Sequence, residues 1–176
     1  MTAAAHDAEA RRHEAEAAKV ARTDPEQAAA EQANADAHRR ASDALTRDET
    51  VACAGVPPES FDQCALPPDA RIVETGELRS PLDGKAEYPS RLVGATITVV
   101  ETATRTKDEL ERRVACNLAR VAERGEQINA ADCPLSVPGS KATVAKTASG
   151  LRVEIRGDNA EHVKEIVRRA DVLGGK

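Results

Sequence analysis

Apolar and polar positions alternate most regularly in the second half of the chain. In LVGATITVVE (Leu92–Glu101), Val93, Ala95, Ile97 and Val99 alternate with Gly94, Thr96, Thr98 and Val100. A period of two predicts a strand with one buried face and one threonine-rich face. The spacing then changes. Leu110, Val114, Leu118 and Val121 recur at helical intervals, which predicts a helix lying on that sheet. Thr106-Lys107-Asp108-Glu109 has the form of a capping box at its start, and Gly125 suits its left-handed end. Lys141–Ala148 and Leu151–Arg156 flank the turn signal Ser149-Gly150 and read as a hairpin. Its Leu151, Val153 and Ile155 are expected to face inward and Arg152, Glu154 and Arg156 to face water. Gly157-Asp158-Asn159 leads into a last helix, with Asp158 and Glu161 as a capping pair. Val163, Ile166, Val167 and Ala170 form its apolar stripe, and His162 is expected to face solvent.

These elements predict an α+β fold: a small antiparallel sheet in β-α-β-β-α order with helices on one face. Arg71–Leu78 supplies a possible fourth strand at the edge. The whole is then ferredoxin-like, or a permuted relative of that fold, and a parallel edge in it would need a right-handed crossover.

The first half reads differently. Residues 2–22 are nearly all Ala, Glu, Arg, Lys and His, and Thr23-Asp24-Pro25-Glu26 is a helix restart. A second helix is expected from Pro25 to about Ala52. The arm is therefore an alanine-rich helical hairpin or one long helix. Val20, Leu45 and Val51 are its only aliphatic residues larger than alanine, so it buries little by itself. The chain divides into the arm (1–52), a Pro-rich linker with the possible edge strand (53–91) and the α+β domain (92–176). In the linker, Glu59–Ala65 is expected to form one helical turn carrying Phe61 inward, and Leu82-Asp83-Gly84-Lys85 a turn.

Composition removes several function classes. Of 176 residues only Phe61 and Tyr88 are aromatic, so stacking platforms for single-stranded nucleic acid are missing. The net charge is −5, and Arg112, Arg113, Arg120 and Arg124 are interleaved with Glu109, Glu111 and Glu123, which reads as a solvated helix face. No nucleic-acid partner is expected. No apolar run approaches the roughly 20 residues of a membrane-spanning helix, and no signal sequence opens the chain as it stands. Phosphate loops, a nucleophile elbow and paired catalytic carboxylates are missing. A thiol nucleophile at Cys116 needs a base, and His162 is the only histidine of this half. No catalytic residue and no cofactor are assigned.

Four cysteines, Cys53, Cys64, Cys116 and Cys133, contain no C-x-x-C pair, which disfavours zinc ribbons and thioredoxin-like sites. In an oxidising compartment they predict two disulfides. Cys116 falls opposite the apolar stripe of its helix, and Cys133 lies in the next loop, so these two are expected to pair. A Cys53–Cys64 bridge would close a small loop and fix the arm to the domain, worth about 2–3 kcal/mol. His6 and His13 are seven apart and share a helical face. They are read as solvated, with metal ligation as the weaker alternative, because helical sites more often use i,i+4 spacing.

The segments HDAEARRHEAEA (His6–Ala17), ACAGVPP (Ala52–Pro58), VGATITV (Val93–Val99), Cys116–Arg120 and DCPLSVPG (Asp132–Gly139) together resemble a group of uncharacterised exported proteins of Gram-negative soil bacteria related to the myxobacteria. In that pattern a histidine often follows the helix cysteine, and more histidines precede the C-P-L segment. Here Asn117 follows Cys116 and the loop carries none, so any metal set built on that pattern is incomplete. The resemblance implies export, to the periplasm, a lipid anchor or the extracellular space.

The expected function is that of a non-enzymatic exported structural or interaction protein, whose arm packs on its own domain or self-associates with another copy. The alternative is an envelope protein that handles Cu or Zn.

Overall fold

The computed structural model describes residues 1–58, 64–66, 70–81, 90–125 and 132–175. Expectations for Phe61 and for the Leu82–Lys85 turn fall outside them. Helix α1 spans Ala3–Val20 and helix α2 Pro25–Ala52. The break between them is the one written in the sequence: Asp24 Oδ1 accepts a hydrogen bond from the Gln27 amide at 2.9 Å, and Pro25 takes the first helical position. The two helices form an antiparallel hairpin. Ala3, Ala10 and Ala17 of α1 are buried at seven-residue spacing, and so are Ala35, Ser42 and Glu49 of α2. Small side chains at that spacing let the backbones approach, and Ser42 Oγ donates to the Ala3 carbonyl at 3.2 Å. The seam is thin. A buried CH₂-sized group is worth about 0.8 kcal/mol, whereas ordering a residue's backbone costs about 1–2 kcal/mol.

Strands β1 (Ile72–Pro81), β2 (Ser90–Val99), β3 (Lys141–Thr147) and β4 (Gly150–Arg156) form one sheet in the order β1-β2-β4-β3. Every neighbouring pair is antiparallel. Helix α3 (Lys107–Arg124) joins β2 to β3, and helix α4 (Ala160–Leu173) follows β4. This is the ferredoxin-like order with its last strand moved to the front, so the possible edge strand is a full member of the sheet. The anticipated parallel edge does not form. Strand β4 inserts between β2 and β3, so the two strands joined through α3 run in the same direction without touching.

One face of the sheet carries the core. Ala95, Ile97 and Val99 of β2 and Leu151, Val153 and Ile155 of β4 are fully buried under Leu110 and Val114 of α3 and Ile166 and Ala170 of α4. The predicted alternation is observed on β4; on β2 Ala95, Ile97 and Val99 are buried as expected, but Gly94 and Thr98 of the other face are buried too and Val93 is only half-buried. Thr106 Oγ1 caps α3 by accepting from the Glu109 amide, and Gly125 ends it at φ +75°. At α4 the expected Asp158–Glu161 capping pair is replaced by Asn159. Its Oδ1 accepts from the Glu161 and His162 amides, while Asp158 pairs with His162 Nδ1 at 2.5 Å. Asn159 sits one residue nearer the helix, where its short side chain reaches both free amides.

The arm lies along the face of α3 that points away from the sheet. The arginine face predicted to be solvated is therefore partly an interface. Arg120 is 5% exposed, and its Nε lies 4.0 Å from Glu49 Oε1. Arg124 Nη2 donates to the same oxygen at 2.7 Å.

Cys116 is on that face, as its helical phase requires, and this decides the cysteine pairing. The disulfides are Cys53–Cys116 and Cys64–Cys133, with Cα separations of 4.5 and 5.3 Å. The expected Cys116–Cys133 and Cys53–Cys64 pairs are incorrect. The end of α2 delivers Cys53 to α3, and Cys64 enters the core beside Cys133. The sequence separations are 63 and 69 residues, so on the loop-entropy model each closure is worth about 4 kcal/mol rather than the 2–3 of a local loop.

Candidate metal centre

In an antiparallel hairpin, residues equidistant from the turn face each other. That rule sets Ala3 against Ser42, His6 against His38 and His13 against Glu31, and the structure contains each contact. Three of the chain's four histidines thus meet across the α1–α2 seam.

His38 lies between the two α1 histidines. Its ring centroid is 5.2 Å from that of His6 and 5.5 Å from that of His13, stacked against the latter at 16°. His6 Nδ1 and His38 Nδ1 are 2.9 Å apart. His13 Nδ1 meets Glu31 Oε2 at 2.5 Å, and its side chain is only 14% exposed. Glu9 adds a carboxylate one turn from His13. The ligand atoms of Glu9, His13 and His38 all lie within 4.8 Å of one another. None of these residues is fully exposed, which differs from the solvated histidines expected of the arm.

The electrostatics suit a cation. The Arg12 guanidinium, donating to Glu9 at 2.7 Å, holds the Glu9 carboxyl below the usual carboxylate range, so Glu9 is anionic at neutral pH. Arg12 Nη2 also lies 3.3 Å from His13 Nε2. An ion drawing on Glu9 and His13 therefore displaces Arg12 toward solvent, where 66% of its side chain is already exposed. The Glu31 carboxylate on His13 Nδ1 has the form of the outer partner that fixes a ligating histidine's tautomer and leaves Nε2 as the donor.

Distances also suit an ion. Two ligands bound at about 2.0–2.1 Å to one centre stand roughly 2.9–3.4 Å apart for angles between square and tetrahedral. The Glu9, His13 and His38 ligand atoms, within 4.8 Å of one another, reach that range by side-chain rotation, and His6, hydrogen-bonded to His38 at 2.9 Å, flanks them. Imidazole nitrogens with a carboxylate select late first-row divalent ions, Zn(II), Cu(II) or Ni(II), over Mg(II) or Ca(II).

Of the sequence-predicted metal residues, His6 and His13 are both in the cluster. His38 and Glu31 were missed because they lie on the other helix, far outside any local motif. Turn position was the available signal: the Thr23–Glu26 break fixes which α2 residue opposes each α1 histidine. Asn117, which stands where the resemblance pattern has a histidine, is buried on α3 outside the cluster. His162 pairs with Asp158 at the start of α4. All four cysteines are in disulfides, which removes thiol ligation and thiol nucleophiles. Among the described residues no helix is long and apolar enough to cross a membrane. Compared with protein-family models, with curated proteins and with solved structures, the chain shows no significant match.

Proposed function

We propose that this is a non-enzymatic exported protein, periplasmic or extracellular, whose helical hairpin binds one late first-row divalent ion, Zn(II) or Cu(II). The observation that carries the reading is the Glu9, His13 and His38 set across the seam, whose ligand atoms all lie within 4.8 Å of one another. Export is supported by two disulfides that close long loops, since such bonds persist in oxidising compartments. It is also what the resemblance to exported proteins of myxobacteria-related bacteria implies. The hairpin's fit onto its own α3 favours ion binding over self-association through the arm.

The test is calorimetric titration of chelator-stripped, oxidised protein with Zn(II) and with Cu(II). Binding of one ion per chain is expected, weakened at least about tenfold by His38→Ala, a loss of about 1.4 kcal/mol, and unchanged by His162→Ala. Absence of binding, or equal binding by the His38→Ala protein, overturns the proposal.

A further inference from the structure

We infer that the ion latches α1: occupancy of the histidine cluster sets whether the first helix stays docked, so the hairpin is an ion-operated clip. This inference rests on the ion-binding reading above and adds how the site is coupled to the fold. The two helices of the arm are held very differently. Helix α2 is tied to the body by the Cys53–Cys116 disulfide and by Glu49 on Arg124 and Arg120. Helix α1 carries no cysteine, and among the described residues its ion pairs to another element run to α2, from His13 to Glu31 and from Glu14 to Arg39. Its buried residues are three alanines, and it meets the body where Thr2 lies beneath the Gly125 end of α3.

Of the ligand set, Glu9 and His13 belong to α1 and His38 to α2. An ion ligated by Glu9, His13 and His38 spans the seam, and releasing α1 dismantles its site. Binding that exists only in the docked state stabilises that state by linkage. Because α2 stays bonded to α3, opening is confined to α1, and the sheet and its two helices are unaffected.

Hydrogen exchange of the full-length oxidised protein, read by mass spectrometry with and without Zn(II), tests this. At free Zn(II) of about 100 times Kd, amides of Ala3–Val20 are expected to exchange up to about 100-fold more slowly, with those of the sheet and α4 unchanged. His13→Gln and His38→Gln are expected to lose most of this slowing, and unchanged exchange in the sheet of each variant shows that the body is folded. Zn(II) binding by calorimetry without slower α1 exchange overturns the latch and leaves the ion site standing. Equal slowing throughout the chain also overturns the latch, and no binding at all overturns both.

Discussion

Glu49 of α2 accepts a hydrogen bond from Arg124 of α3 at 2.7 Å, across 75 residues of sequence, and its side chain is only 11% exposed. Arg120, buried beside it, shares the same carboxylate oxygen at 4.0 Å. This is the polar joint between arm and body. Removing the carboxylate takes the shared anion from Arg120 and from Arg124, which keeps Glu123 at 2.9 Å. Glu49→Ala is expected to destabilise the protein by about 2 kcal/mol, less than for a fully buried pair because half of Arg124 is in water. Arg124→Ala is expected to cost less, about 1 kcal/mol or below. Urea denaturation of the two variants measures both.

The disulfides make a second prediction. Peptide mapping under non-reducing conditions is expected to yield Cys53–Cys116 and Cys64–Cys133 linked fragments and no others. Replacing Cys64 and Cys133 together by serine is expected to cost about 4 kcal/mol, because it opens a long loop and puts hydroxyls into the apolar core. The Cys53/Cys116 pair replaced likewise is expected to loosen the arm first, seen as early protease cleavage within α2.

These pairings show where sequence reasoning stopped. Alternation in β4, the inward Ala95, Ile97 and Val99 of β2 and the stripes of α3 and α4 were readable because burial imposes a period of two on a strand and 3.6 on a helix. The phase of Cys116, opposite Leu110 and Val114, was readable for the same reason. What covers that side of α3 was not, because the arm reaches it through tertiary packing of alanines that carry no hydrophobic signal. Sequence proximity therefore points to Cys133, whereas the packed arm brings Cys53. The histidine cluster was half readable. His6 and His13 share a face by spacing, but His38 enters only once the turn register is applied.

Gly94 of β2 is expected to be intolerant of any side chain. A Cβ there would lie 1.8 Å from the Ile155 carbonyl oxygen, a backbone atom of the neighbouring strand that cannot swing aside. Gly94→Ala is expected to lose roughly 3 kcal/mol or more through displacement of β4, measured by thermal or urea unfolding.

A pH dependence follows from α4. Glu165 accepts hydrogen bonds from Arg168 and Arg169, which bring its carboxyl down to about 2 from an ordinary 4.5. Arg169 also donates to the Cys133 carbonyl at 3.3 Å, so the pair ties α4 to the loop holding the core disulfide. A carboxyl depressed in the folded state stabilises it fully above about pH 4.5, and that contribution is lost as pH falls through about 2. With a third of the side chain in water the effect is small, about 1 kcal/mol or less. Glu165→Gln is expected to be less stable than the parent at pH 7 and indistinguishable from it near pH 2, by denaturant titration at each pH.

The central claim is that histidines from two helices converge on one ion, and imidazole nitrogen NMR tests it residue by residue. Long-range proton–nitrogen spectra of the oxidised protein, recorded before and after one equivalent of Zn(II), resolve all four histidines. The account predicts that His13 and His38 shift together and saturate at one ion per chain, while His162 stays in place. Shifts confined to His162, or shared equally by all four without saturation, would contradict it.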